Sequence, residues 1–105
     1  MLVMAVSHTA PEIIEEKHYD YKVDCWSLGV ILFELFSEKQ PFMVDSADQT
    51  ELFEVIRKGT YVFSNDQWAS RSPEAKDLVK KLLELDPSKR YSMSQIKTHP
   101  WFEKF

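Results

Sequence analysis

Between Val23 and Phe36 the chain reads VDCWSLGVILFELF, and apolar side chains fill ten of these fourteen positions. They fall on every side of a helical wheel rather than on one stripe, which predicts a central helix buried on most sides. The polar exceptions Asp24, Ser27 and Glu34 lie within about 80° of one another at 100° per residue, so one face stays polar from end to end. Pro41 is expected to stop this helix. In TELFEVIRKG, Leu52, Phe53, Val55 and Ile56 predict a short amphipathic helix closed by Gly59. In SRSPEAKDLVKKLLELDP, Ala75, Leu78, Val79, Leu82 and Leu83 recur at i, i+3, i+4, i+7 and i+8. Ser72 suits the N-cap there, Pro73 the first turn and Glu74 the positive end of the helix dipole. That helix should stop at Asp86-Pro87, because the residue before proline avoids helical backbone angles. A last helix opens at Ser92, with Gln95 at capping-box spacing, and ends at Pro100. The pattern predicts an all-α fold of about four helices with no strand.

Composition narrows the setting. A chain of 105 residues with 44% hydrophobic and 13% aromatic content supports one domain with a modest core. Thirteen Lys and Arg against seventeen Asp and Glu give a formal charge of -4, which argues against nucleic acid or an anionic membrane as the main partner. Cys25 stands alone, so no intrachain disulfide or cysteine zinc cluster can form, and a reducing, intracellular compartment, cytoplasmic or nuclear, is expected. Cys25 itself reads as inert core. The apolar run Leu28–Phe33 is too short to span a bilayer, and the opening MLVMAV lacks the basic start of a signal peptide. His8, His18 and His99 lie far apart, with no carboxylate neighbours at ligand spacing, so no metal site is expected.

Four short strings add chemistry to this outline: TAPE at Thr9–Glu12, DCWSLG at Asp24–Gly29, DPSKR at Asp86–Arg90 and HPWF at His99–Phe102. Each alone is weak. Their order and spacing over residues 9 to 102 resemble the helical lobe of eukaryotic serine/threonine protein kinases, in the calmodulin-dependent and checkpoint-like group. The resemblance implies a helical C-lobe portion, running from the end of the activation segment through the last helix, across residues 1 to 105.

The resemblance also implies roles. Glu12, the glutamate of the APE string, would pair with Arg90 as a carboxylate–guanidinium fork; two solvated surface charges are the alternative. Asp24 would accept backbone N–H bonds from a catalytic loop, or serve as a plain helix N-cap. Glu34, with His8 and Thr9 nearby in the activation segment, would face a protein substrate and meet its basic residue; the alternative is a solvated glutamate on the polar face. Trp26 and Gly29 read as an aromatic anchor and a close helix approach, and Trp101 with Phe102 as a cap on the core.

Phosphoryl transfer in this family uses a glycine-rich loop, a strand lysine, an HRD aspartate with its asparagine, and a DFG aspartate holding magnesium. None of these strings is in the sequence, whose two glycines, Gly29 and Gly59, stand thirty residues apart. ATP and magnesium are therefore implied only for an intact domain; this chain is expected to hold no cofactor, metal or catalytic residue and to be inactive alone. The usual Gly-Thr pair and the tyrosine two residues before the APE string are replaced by Met4, Ala5 and His8, which marks Met1–Ser7 as a divergent or non-native start. The expected partners are a protein substrate and the kinase segments not present here. The alternative function is a non-catalytic interaction module that docks through the helix at Leu52–Ile56, the acidic loop before it, or an apolar face left open on the central helix.

Overall fold

The central helix forms from Lys22 to Ser37 and the other elements gather around it. In the computed structural model the described residues are 8–14, 20–42, 49–59, 61, 63 and 66–102. Among them run six helical segments and no strand: α1 (Pro11–Ile14), α2 (Lys22–Ser37), α3 (Gln49–Lys58), α4 (Asp66–Ala69), α5 (Pro73–Leu82) and α6 (Met93–Lys97). The four longer segments match the expected helices. The single turns α1 and α4 are additions that hydrophobic periodicity cannot register, since neither completes two turns. Met1–Ser7, His18 and most of the acidic loop before α3 lie outside the described residues.

Contact between α2 and α5 organises the core. Gly29 makes it possible: a Cβ there would sit 2.7 Å from the Cβ of Leu82, so only a hydrogen lets the two backbones come this close. Trp26, Val30 and Phe33 on α2 are buried with Phe42, Ile56, Trp68, Val79 and Leu83 in one cluster, and Cys25 joins Leu78, Leu82 and Ile96 in a second. Aromatic rings fill much of the volume. Trp26 stacks on Phe42 with centroids 5.6 Å apart, and Phe33 meets Trp68 edge-on at 5.0 Å. Trp101 reaches Phe36 at 5.6 Å, which places the C-terminal HPWF string as a cap over the end of α2. Phe102 packs on Trp101 but stays exposed.

The helix ends show how local chemistry sets boundaries. Ser72 Oγ accepts the Ala75 N–H at 3.2 Å with Pro73 at the first position of α5. Ser92 and Gln95 form the reciprocal capping box of α6, which closes at Thr98 rather than running on to Pro100. Gly59, at φ +65, closes α3 in the left-handed conformation, and Leu85 packs where a side chain would project. α2 stops at Ser37, ahead of Pro41, because Glu38 adopts φ 62 and returns its N–H to Glu34 O. The expectation that α5 runs to Asp86 is corrected: it ends at Leu82, and the carbonyls of Glu84 and Leu85 turn to bond the Arg90 side chain instead of continuing the helix.

Candidate functional site

Arg90 is fully buried and uses all five of its N–H donors. Nη1 donates to Glu12 Oε2 at 2.6 Å and Nη2 to Glu12 Oε1 at 2.9 Å, a two-armed fork in which Glu12 is 4% exposed. The remaining donors go to three carbonyls: Nε to Glu84, Nη1 to Lys22 and Nη2 to Leu85. The guanidinium plane lies 5.0 Å from the Trp26 ring centroid, so Trp26 closes the side of the charge that water would otherwise reach. The alternative of two solvated charges does not apply. α1, the start of α2 and the turn before α6 are thus tied together at one guanidinium.

Lys22 adds a second tie that the sequence patterns do not reveal. Its Nζ donates to Pro87 O at 2.9 Å and to Arg90 O at 2.7 Å. Nearby, Asp86 Oδ1 accepts from the Ser88 hydroxyl and backbone N–H, and these bonds hold its carboxyl below the usual range.

His8, Thr9 and Glu34 were expected near one another, and the structure brings the first and last into contact. His8 Nε2 lies 2.8 Å from Glu34 Oε1, with the side chains 20% and 29% exposed. Ser27 Oγ donates to the carbonyl of His8 at 3.0 Å. Two of the three polar residues on the α2 face therefore grip His8, by backbone and by side chain. Thr9 is half-buried beside them.

Asp24, the third polar residue, lies exposed in the first turn of α2 and makes no side-chain hydrogen bond among the described residues. It does not cap the helix: Asp20 Oδ1 accepts the Lys22 N–H at 2.9 Å, the bond a cap would make. Asp24, Leu28, Ile31 and Leu35 fall within about 60° on the helix. Ile31 and Leu35 are 41% and 65% exposed, so this side of α2 carries an acid at one end and uncovered apolar side chains at the other.

Two of the histidines have carboxylate partners in the fold that their sequence spacing does not show. His8 meets Glu34, and buried His99 meets Asp77 at 2.7 Å, while His99 Nδ1 accepts the Trp101 N–H at 3.1 Å. These partners come from other helices, so linear spacing hides them. Among the described residues no three His, Cys, Asp or Glu side chains gather to hold a metal ion. Cys25 is buried, and that burial pushes its thiol pKa up, away from reactive thiolate.

Helices packed around α2, with an incoming segment locked onto them through Glu12, define a helical scaffold domain. The chain belongs to the protein kinase domain family, whose family model matches residues 1–102. It is 46% identical over 97 residues to the serine/threonine-protein kinase DCLK3 of Mus musculus, covering 92% of this chain and 12% of that protein. It is 41% identical over 100 residues to the serine/threonine-protein kinase RCK2 of Saccharomyces cerevisiae, covering 95% of this chain and 16% of that protein. It is 40% identical over 103 residues to calcium-dependent protein kinase 17 of Arabidopsis thaliana, covering 98% of this chain and 19% of that protein. The chain thus spans less than a fifth of the length of these relatives.

Kinases of this family generally use ATP and magnesium. The residues present do not fit that pair: the sequence has no glycine-rich phosphate loop, no HRD or DFG string, and no cluster of three metal-binding side chains among the described residues. No catalytic step through them is derived for this chain.

Proposed function

We propose that this chain is the substrate-side, C-terminal portion of a serine/threonine protein kinase domain, which braces the activation segment and carries part of the peptide site. Its phosphoryl transfer from ATP to protein Ser or Thr belongs to the intact domain, in an intracellular setting. The Arg90–Glu12 fork carries this reading. It fastens the TAPE segment to the helices at a single buried point, so that residues 8 to 12 enter the site on a fixed base. Glu34 supplies the carboxylate for a basic residue of the substrate, and Asp24, with its acceptors open, is placed to receive backbone N–H groups of a catalytic loop supplied by the rest of the domain.

The test is binding and activity of the 105-residue chain. Addition of ATP and magnesium is expected to leave its melting temperature unchanged and to produce no phosphopeptide, whereas a peptide bearing one basic residue binds and loses affinity in Glu34→Gln. Reproducible stabilisation by ATP and magnesium would overturn the claim that the chain is inactive alone. Peptide binding indifferent to Glu34→Gln would overturn the substrate-side reading.

A second reading, a non-catalytic interaction module, is favoured by the uncovered Ile31 and Leu35 on α2. The structure weighs against α3 as its docking element, because Ile56 is fully buried and Leu52 and Val55 pack on the same core.

A further inference from the structure

Between the end of α3 and the C-terminal end of α5 the chain opens a groove of about 440 Å³. Its apolar walls are Leu83, the exposed Leu85 and the rings of Tyr61 and Phe63, which meet edge-on at 5.6 Å. Two polar groups enter this lining with no hydrogen-bond partner among the described residues: the half-buried Glu84 carboxylate and the Tyr61 hydroxyl. Burial, and then the Glu84 charge, raise the Tyr61 phenol to about 12, so the phenol stays neutral and Glu84 is the negative charge of the groove.

Lys80 at the rim shows what the lining can hold. Its Nζ lies 5.8 Å from the Phe63 ring centroid and makes no ion pair with Glu84 among the described residues. The aromatic wall therefore already seats one ammonium, carried on an exposed and flexible stem, while the carboxylate beside it stays unpaired.

We infer that this groove binds a small organic cation, a primary amine on an aromatic or branched apolar body: Glu84 and the Tyr61 hydroxyl take the ammonium, and Leu83, Leu85 and Phe63 take the body. The volume is that of a small-molecule site. An anion of the same shape would face the Glu84 charge with nothing to offset it but Lys80 at the rim. The inference is independent of what Glu34 binds.

The same turn anchors the fork. Glu84 and Leu85 line the groove with their side chains and give their carbonyls to Arg90, at 2.9 Å from Nε and 3.3 Å from Nη2. A cation seated on those side chains needs the turn that Arg90 needs, so occupancy steadies the Glu12–Arg90 tie by mass action.

The test titrates the whole chain at neutral pH with phenethylammonium, phenethyl alcohol and hydrocinnamate, followed by amide and side-chain N–H shifts in nuclear magnetic resonance. Phenethylammonium is expected to saturate at millimolar concentration, with shifts centred on Tyr61, Phe63 and Glu84–Leu85, and to bind about fivefold or more tightly than the alcohol or the carboxylate. Glu84→Gln, which keeps the carbonyl that Arg90 uses, removes that advantage. Lys80→Met frees the Phe63 face of a competing ammonium and raises the affinity for phenethylammonium about twofold or more. At ten times the dissociation constant, exchange of the Arg90 Nε–H slows about tenfold. Shifts that never saturate, tighter binding of hydrocinnamate, or an affinity for the amine that is unchanged in Glu84→Gln or falls in Lys80→Met overturns the site. Saturable binding that leaves Arg90 exchange unchanged overturns the link to the fork.

Discussion

Lys22 and Arg90 each donate a side-chain hydrogen bond to the other's backbone carbonyl, at 2.7 Å from Lys22 Nζ and 2.9 Å from Arg90 Nη1. The exchange joins the first residue of α2 to the turn before α6, 68 residues along the chain. It also sets Lys22 beside the Glu12–Arg90 fork, so two cations share one region of backbone acceptors. Replacing Lys22 by Met keeps the aliphatic stem and removes both carbonyl bonds. The expected loss is about 1 to 2 kcal/mol, reduced from the buried value because Lys22 is partly exposed, and urea denaturation measures it.

Arg90→Ala leaves Glu12 charged and enclosed, an outcome that costs roughly 3 to 5 kcal/mol in buried pairs. Against the roughly 5 to 15 kcal/mol stability common to small domains, this is a large share of the total and lowers the melting temperature steeply. Arg90→Lys is expected to be nearly as damaging, since three donors on a flexible stem cannot replace five in a plane. A double-mutant cycle with Glu12→Gln should show strong coupling, and additive losses would refute the fork as a unit.

Gly29→Ala drives a methyl group to 2.7 Å from the Leu82 Cβ and toward the Leu83 side chain. The expected cost is about 1 to 3 kcal/mol from overpacking. Pairing it with Leu83→Ala should cost less than the sum of the separate changes, because the shortened side chain makes room. Equal or additive penalties would place the strain elsewhere.

Tyr61 gives the fold an alkaline limit. Burial, reinforced by the Glu84 carboxylate, raises its phenol to about 12. The folded state holds this proton more tightly than an unfolded chain, whose tyrosines titrate near 10. Its contribution is complete below about pH 10 and is lost as pH rises through about 12. Melting temperatures across that interval should fall more steeply for the native chain than for Tyr61→Phe. Parallel slopes would sink the assignment.

Uncovered Ile31 and Leu35 predict self-association and binding of hydrophobic dyes by the isolated chain. Ile31→Ser with Leu35→Gln should lower both, seen by sedimentation and dye fluorescence. A native chain that stays monomeric and dark to the dye at high concentration would contradict this.

The sequence made the large helices readable because each carries its own signal: all-round apolarity in α2, heptad-like spacing in α5, and caps at Ser72, Ser92 and Gly59. It misled on the end of α5, where periodicity runs on through Leu83 but Arg90 takes the carbonyls of Glu84 and Leu85 from outside the helix. Trp26 and Gly29 could be assigned from residue type and position. Lys22, Asp77 and the contact between His8 and Glu34 could not, because each depends on helices meeting across 22 or more residues of chain. Asp24 presents a different case. Its exposure follows from packing on α2, and nothing in the local pattern separates it from Asp20, which takes the cap-like bond instead.

With every N–H of Arg90 engaged and an indole against its face, the group is closed to chemistry as well as to water. Dicarbonyl reagents that condense with solvent-exposed guanidinium groups should label exposed Arg71 and the half-exposed Arg57 in the folded chain, and reach Arg90 only after unfolding. Protection of that single arginine would then report, by mass, whether the TAPE segment is seated on the helices.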